Sequence, residues 1–210
     1  MIFKTIMIRV KGNNISERYA HYCAKSWDGF NLRFYDAVTP ETLHEQSGLT
    51  FGTRGNGREL TDTEKACLYS QYNLWKKCAV ENVPILVLEH DAFLSESDPI
   101  QFNPSLMVQF FGQHSMEAVM YHPEFAKRLM KYCEINKVTG PMLLVDTLLG
   151  FFQVGSQSRH NMPHARYQGK RSPVKSVIDP NLGTTVDHNG STLDRFNSGD
   201  GDLFKIVNLS

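Results

Sequence analysis

The sequence has little cysteine and no CxxC pair. Its four cysteines, Cys23, Cys67, Cys78 and Cys133, are widely spaced, which argues against a zinc ribbon and gives no disulfide framework. Buried free thiols in a reducing compartment are the expectation. Net charge is also absent: 22 basic residues balance 22 acidic ones, so nothing global points to nucleic acid or an anionic membrane. No apolar run approaches the length of a membrane span. The opening residues, Met1-Ile2-Phe3-Lys4-Thr5, have neither a long apolar h-region nor a small-residue cleavage site. A soluble cytoplasmic protein is therefore expected. A Gly-rich phosphate loop of the GxGxxG or Walker type is missing, so any phosphate must be held another way. Repeats, low-complexity tracts and linker-like stretches are missing too, and 210 residues then read as one domain.

What is present centres on Pro84-Ile85-Leu86-Val87-Leu88-Glu89-His90-Asp91. The apolar run is too short for a buried helix and suits a central strand covered on both faces. Carboxylates just past such a strand lie at the rim of an α/β sheet, where ligands usually bind. Two acids one residue apart suit a divalent cation, and the cation can hold a diphosphate. The same residues also suit a buried strand ending in a solvated acidic turn.

Ahead of it, residues 6–10 alternate as a first strand. A Lys11-Gly12-Asn13-Asn14 turn follows, and Ser16 is placed to cap a helix beginning at Glu17. That helix puts Tyr19 or Ala20, Cys23, Ala24 and Trp27 on one face. Residues 32–38 read as a second strand. Strand, helix, strand opens a nucleotide-binding α/β unit. Arg18, early in the helix, suits either a phosphate or open solvent.

Residues 46–58 form a polar loop with four glycines, Arg54 and Arg58, suited to a lid over an anionic ligand or to plain disorder. Thr61-Asp62-Thr63-Glu64 is a capping box. It predicts a helix to about Val80 with Cys67, Gln71, Leu74, Trp75 and Cys78 on its inner face. Gln71 is the odd member, because a buried amide must find partners.

After Asp91, residues 105–111 and 117–121 read as two strands, and His122-Pro123-Glu124 starts a helix with proline at N1. Asp146 stands alone inside a very apolar stretch, as a structural or a functional acid does. Residues 159–175 carry Arg159, Arg166, Lys170, Arg171 and Lys175, with His160 and His164 and no acid. The overall balance therefore conceals a basic segment followed by an acidic tail.

Three pieces in order, Thr61-Asp62-Thr63-Glu64, then Cys67-Leu68-Tyr69-Ser70-Gln71 with Leu74-Trp75, then Ile85-Leu86-Val87-Leu88-Glu89-His90-Asp91, resemble glycosyltransferase family 25. This family includes lipooligosaccharide sugar transferases and collagen galactosyltransferases. Weaker likeness covers residues 6–38, 118–129, 141–146 and 168–172. Two positions depart from the family pattern: His90 replaces the middle acid of Glu-Asp-Asp, and Gln71 replaces the helix histidine.

The resemblance implies a single α/β domain of GT-A type, Rossmann-like, with a mixed, mostly parallel central sheet. Residues 1–104 are its nucleotide-sugar half, 105–178 its acceptor half and 179–210 a tail. It implies a metal-dependent glycosyltransferase using a nucleotide-sugar donor and a divalent cation, manganese or magnesium. Asp91 and Glu89 become the metal ligands, with His164 or His160 as a late one. Arg18, Glu89, Gln71 and Arg171 become donor-binding residues. Asp146 becomes the base that an inverting transfer needs. The acceptor is a hydroxymethylated base in phage DNA, placing the protein in the host cytoplasm, or a bacterial surface saccharide. An inactive nucleotide-binding module is the competing class, and a nucleotidyltransferase is a third.

Overall fold

The structure is a computed structural model. It describes residues 2–54, 57–95, 100–112, 116–140, 164–166 and 172–176, the 164–166 segment by backbone alone. Among these residues there are eight strands: β1 (Lys4–Arg9), β2 (Leu32–Asp36), β3 (Ile85–Leu88), β4 (Ala92–Leu94), β5 (Val108–Phe110), β6 (Ala118–Tyr121), β7 (His164–Arg166) and β8 (Val174–Ser176). Three α-helices accompany them: α1 (Asn14–Ala24), α2 (Asp62–Glu81) and α3 (Pro123–Ile135).

Six strands form one mixed sheet in the order β2-β1-β3-β6-β5-β7, and β4 pairs with β8 in a separate ribbon. β1 runs parallel to β2 and β3, while β6 is antiparallel to both β3 and β5, and β7 is parallel to β5. The α/β class with a mixed sheet is as the sequence implies. β3 lies inside the sheet with all four residues buried. Its period-two alternation divides the core. Ile85 and Val87 join the residues of α2 and α3, whereas Leu86 and Leu88 join Ala20 and Cys23 of α1 and Trp27.

The first helix starts earlier than Ser16 would allow. Asn13 is the cap, its side-chain oxygen accepting from the N–H groups of Ile15 and Ser16 at 3.0 and 3.1 Å. Ser16 is instead buried inside the helix, and its hydroxyl accepts from the Val10 N–H at 2.9 Å. The sequence holds two good capping residues, and the left-handed turn at Gly12 (φ +80°) reverses the chain soon enough to use the first. Asn13→Ala is expected to cost about 1 kcal/mol, read as a lowered urea midpoint with an unchanged slope.

The capping box of α2 forms as its sequence predicts, with Thr61 and Glu64 capping each other. Its inner face differs at one position: Cys67 is exposed and Leu68 is fully buried. The reason is that α2 is covered on two sides. Besides the sheet, it carries the chain around residue 51, where Phe51 meets the Tyr69 ring edge-on. It also carries the chain after β2, where the Val38 N–H donates to the Ser70 hydroxyl at 2.9 Å. Cys23, Cys78 and Cys133 are buried, and burial pushes the Cys133 thiol up to about 11 and the Cys78 thiol up to about 12. These two are structural thiols held protonated.

The Gly-rich loop is not a free lid where it is described. The Gly52 N–H donates to Val138 O at 2.9 Å and the Val138 N–H donates to Thr50 O at 2.8 Å, pinning the loop to the segment after α3. Arg54 and Arg58 both bind the Glu64 carboxylate at the head of α2. Their charge is spent on the fold. No helix among the described residues is long and apolar enough to cross a membrane.

Candidate functional site

The carboxyl end of β3 is where the sheet presents polar groups. Past Leu88, the Glu89 N–H donates to Glu117 O at 2.9 Å, so Glu89 continues the β3–β6 pairing by one step. The chain then turns: the Ala92 N–H donates to Glu89 O at 3.0 Å, making Glu89, His90, Asp91 and Ala92 a four-residue turn. His90 is therefore a turn residue rather than a plain spacer. Its ring stands edge-on to Tyr19 of α1 at 6.2 Å.

The turn carries two acids, Glu89 and Asp91. Val87 and Val119 face α2 in the core, and Glu89 follows Val87 by two positions at the strand's end. Asp91 lies toward α1. Its Oδ2 accepts from the Ser176 hydroxyl of β8. Cys23 of α1 senses it: burial raises the Cys23 thiol pKa, and the Asp91 charge raises it further. The Trp27 indole N–H holds the adjoining Ala92 carbonyl at 2.8 Å. Asp91 is half-buried and, among the described residues, its second oxygen receives no hydrogen bond.

Arg18 is on the exposed side of α1, next to buried Tyr19. Gln71 is buried in α2 with only 3% exposure, and its side-chain oxygen has no hydrogen-bond partner among the described residues. His164 opens β7, in register with Val108. Asp146, Arg171 and His160 fall outside the described residues. Among those that are described, no group of three or more His, Cys, Asp or Glu side chains is placed to hold a metal.

Two residues were missed by sequence reasoning. Glu117 is a carboxylate only 5% exposed, facing Glu89 across the strand pair. Its side chain lies over Gly112, so closely that a Cβ there would press on the Glu117 carboxylate. A signal existed: Glu117 is the one charge at the head of an otherwise apolar strand. Ser176, the partner of Asp91, gave no local signal at all.

A comparison with curated proteins gives no match. Among solved structures, the chain is similar to one described as "crystal structure of a glycosyltransferase involved in the glycosylation of the major capsid of PBCV-1". The identity is 12% and the TM-score 0.48, over 80% of this chain and 82% of that one. Residues 13–139 match the profile described as "Glycosyltransferase family 25 (LPS biosynthesis protein)". That span includes α1, the capped α2 and the β3 turn with Glu89 and Asp91, and covers more than half of the chain; the protein belongs to glycosyltransferase family 25.

Proposed function

We propose that this transferase moves a sugar from a nucleotide-sugar donor to an acceptor hydroxyl, with a divalent cation, manganese or magnesium, held at Asp91. One observation carries the reading. Asp91 is a half-buried carboxylate at the carboxyl end of the central strand, with one oxygen fixed by Ser176 and the other receiving no hydrogen bond among the described residues. Open α/β sheets bind their ligands at that edge. The donor set suits the cation, because hard ions of this size are held through one or two carboxylates together with substrate phosphates and water. Held there, the cation would supply positive charge to offset the negative charge of the departing diphosphate.

The chain's own residues divide the other tasks. Glu89, two residues before Asp91 in the same turn, takes the donor ribose or a second cation contact. Arg18, Gln71 and Arg171 bind the donor, and His164 is a late ligand. Asp146 accepts the proton of the attacking acceptor hydroxyl. The test is release of nucleoside diphosphate from a panel of nucleotide sugars with manganese. Turnover that stops in a chelator is expected; turnover undiminished by the chelator removes the cation from the reading.

Two acceptors have separate support. The run of five cations and no acid over residues 159–175 favours a hydroxymethylated base in DNA, since cations along a segment bind a phosphate backbone. The family's description as an LPS biosynthesis protein favours a bacterial surface saccharide. A gel shift with hydroxymethylated DNA separates them. For a DNA acceptor, a shift at low salt that fades steeply between about 50 and 200 mM is expected. No shift at low salt leaves the saccharide.

A further inference from the structure

We infer that Ser176 is a positioning residue for Asp91, and that the short strand β8 exists at this edge to deliver its hydroxyl. This rests on the reading of Asp91 as the cation-binding carboxylate.

Ser176 is the last residue of β8, in register with Ala92 of β4, the residue just after Asp91. Its hydroxyl donates to Asp91 Oδ2. The segment carrying it is held by contacts that do not involve Asp91. The Ser95 N–H donates to Pro173 O at 2.8 Å, and the Val174 N–H donates to Phe111 O at 3.2 Å. The Ser172 hydroxyl donates to Gly112 O at 3.1 Å, and both Ser172 and Val174 are fully buried. The position of Ser176 is thus fixed from elsewhere, and the hydroxyl is presented to the carboxylate rather than following it.

Asp91 needs such a partner. It sits in a turn that fixes its backbone but leaves its side chain to rotate. A single donor on Oδ2 selects one rotamer and leaves Oδ1 for a ligand. Hydrogen bonds to a metal-ligating carboxylate commonly set its orientation, and their loss costs about 10–100-fold in metal affinity. Ser176 also lies well beyond the 13–139 segment that matches the family. The later part of the chain therefore contributes to the site by reaching back 85 positions along the sequence.

The test is titration of the full-length protein with manganese alone, followed by the electron paramagnetic resonance signal of the free ion. Donor KM and kcat and thermal melting are measured alongside. Ser176→Ala is expected to weaken manganese binding by about tenfold and to keep the wild-type melting temperature. It should also recover most of kcat at saturating manganese. Ser176→Thr, which keeps the hydroxyl, is expected to restore binding. If Ser176→Ala binds manganese like the wild type while Asp91→Asn does not, the positioning role is overturned and the cation reading stands. If Asp91→Asn also binds like the wild type, the cation reading fails and this inference fails with it.

Discussion

Asp91→Asn is expected to lower kcat/KM for sugar transfer by about 10²–10³-fold, the usual loss when a group that supports developing transition-state charge is removed. The substitution is nearly isosteric, and the neighbouring groups can keep their places. The Trp27 indole still reaches the Ala92 carbonyl and the Glu89–Ala92 turn still closes, since both bonds are made by backbone oxygens. What disappears is the negative charge and half of the hard-oxygen donor capacity at the carboxyl end of β3. The melting temperature should therefore stay close to that of the wild type, while transfer and manganese binding fall together. Steady-state kinetics over a manganese series, with a melting curve on the same preparation, checks this. A variant with wild-type kinetics would place the cation somewhere other than Asp91.

The second large effect concerns stability. Glu64→Gln is expected to cost about 2–3 kcal/mol, below the cost of breaking a fully buried ion pair because both arginines remain partly in water. The Glu64 side chain is only 7% exposed. It binds Arg54 and takes two bonds from Arg58 at 2.9 and 3.0 Å. It also accepts from the Thr61 N–H at 2.8 Å, closing the capping box of α2.

Burial by itself would raise the Glu64 carboxyl pKa. The Arg58 hydrogen bonds, the Thr61 N–H and the charges of Arg54 and Arg58 outweigh burial and hold it below the ordinary value of 4.5. The sign of the pH dependence follows. A carboxyl depressed in the folded state adds stability that is fully present above its unfolded pKa and is lost as pH falls through the lower folded value. Urea midpoints measured from pH 7 down to pH 3 are expected to fall on the acid side. Glu64→Gln should start lower at neutral pH and show a flatter acid limb. Parallel curves for the two proteins would mean that Glu64 contributes no linked proton.

The elements with strong local signals were legible. The capping box places the start of α2 because Thr61 and Glu64 must be three residues apart for each to reach the other's N–H. β3 is legible because four apolar residues leave no polar face for a half-exposed element. His122-Pro123 likewise marks α3, whose buried stripe of Phe125, Leu129 and Cys133 follows the sequence period. Local signals do not decide where two local solutions compete or where cover comes from afar. Asn13 and Ser16 are both good caps, and only the Gly12 turn decides between them. Cys67 and Leu68 exchange sides because the chain around Phe51 and Val38 covers α2 from outside the sheet.

Within the site, the Glu89-His90-Asp91 motif reads as a metal-binding pair. The sequence does not reveal that the two acids sit in a tight turn closed by the Ala92 N–H on Glu89 O. Glu117 carried a readable sign, a charge heading an apolar strand. Ser176 carried none, because its place depends on β8 pairing with a strand more than 80 residues earlier.

The central claim is a donor diphosphate and a divalent cation meeting at the carboxyl end of β3. Its most direct test is a crystal structure of the protein soaked with manganese and a nucleoside diphosphate. The account predicts manganese in direct contact with Asp91 and with diphosphate oxygens, with Ser176 still bonded to the other carboxylate oxygen. A diphosphate bound away from the Glu89–Ala92 turn, or bound there with no metal between it and Asp91, would contradict it.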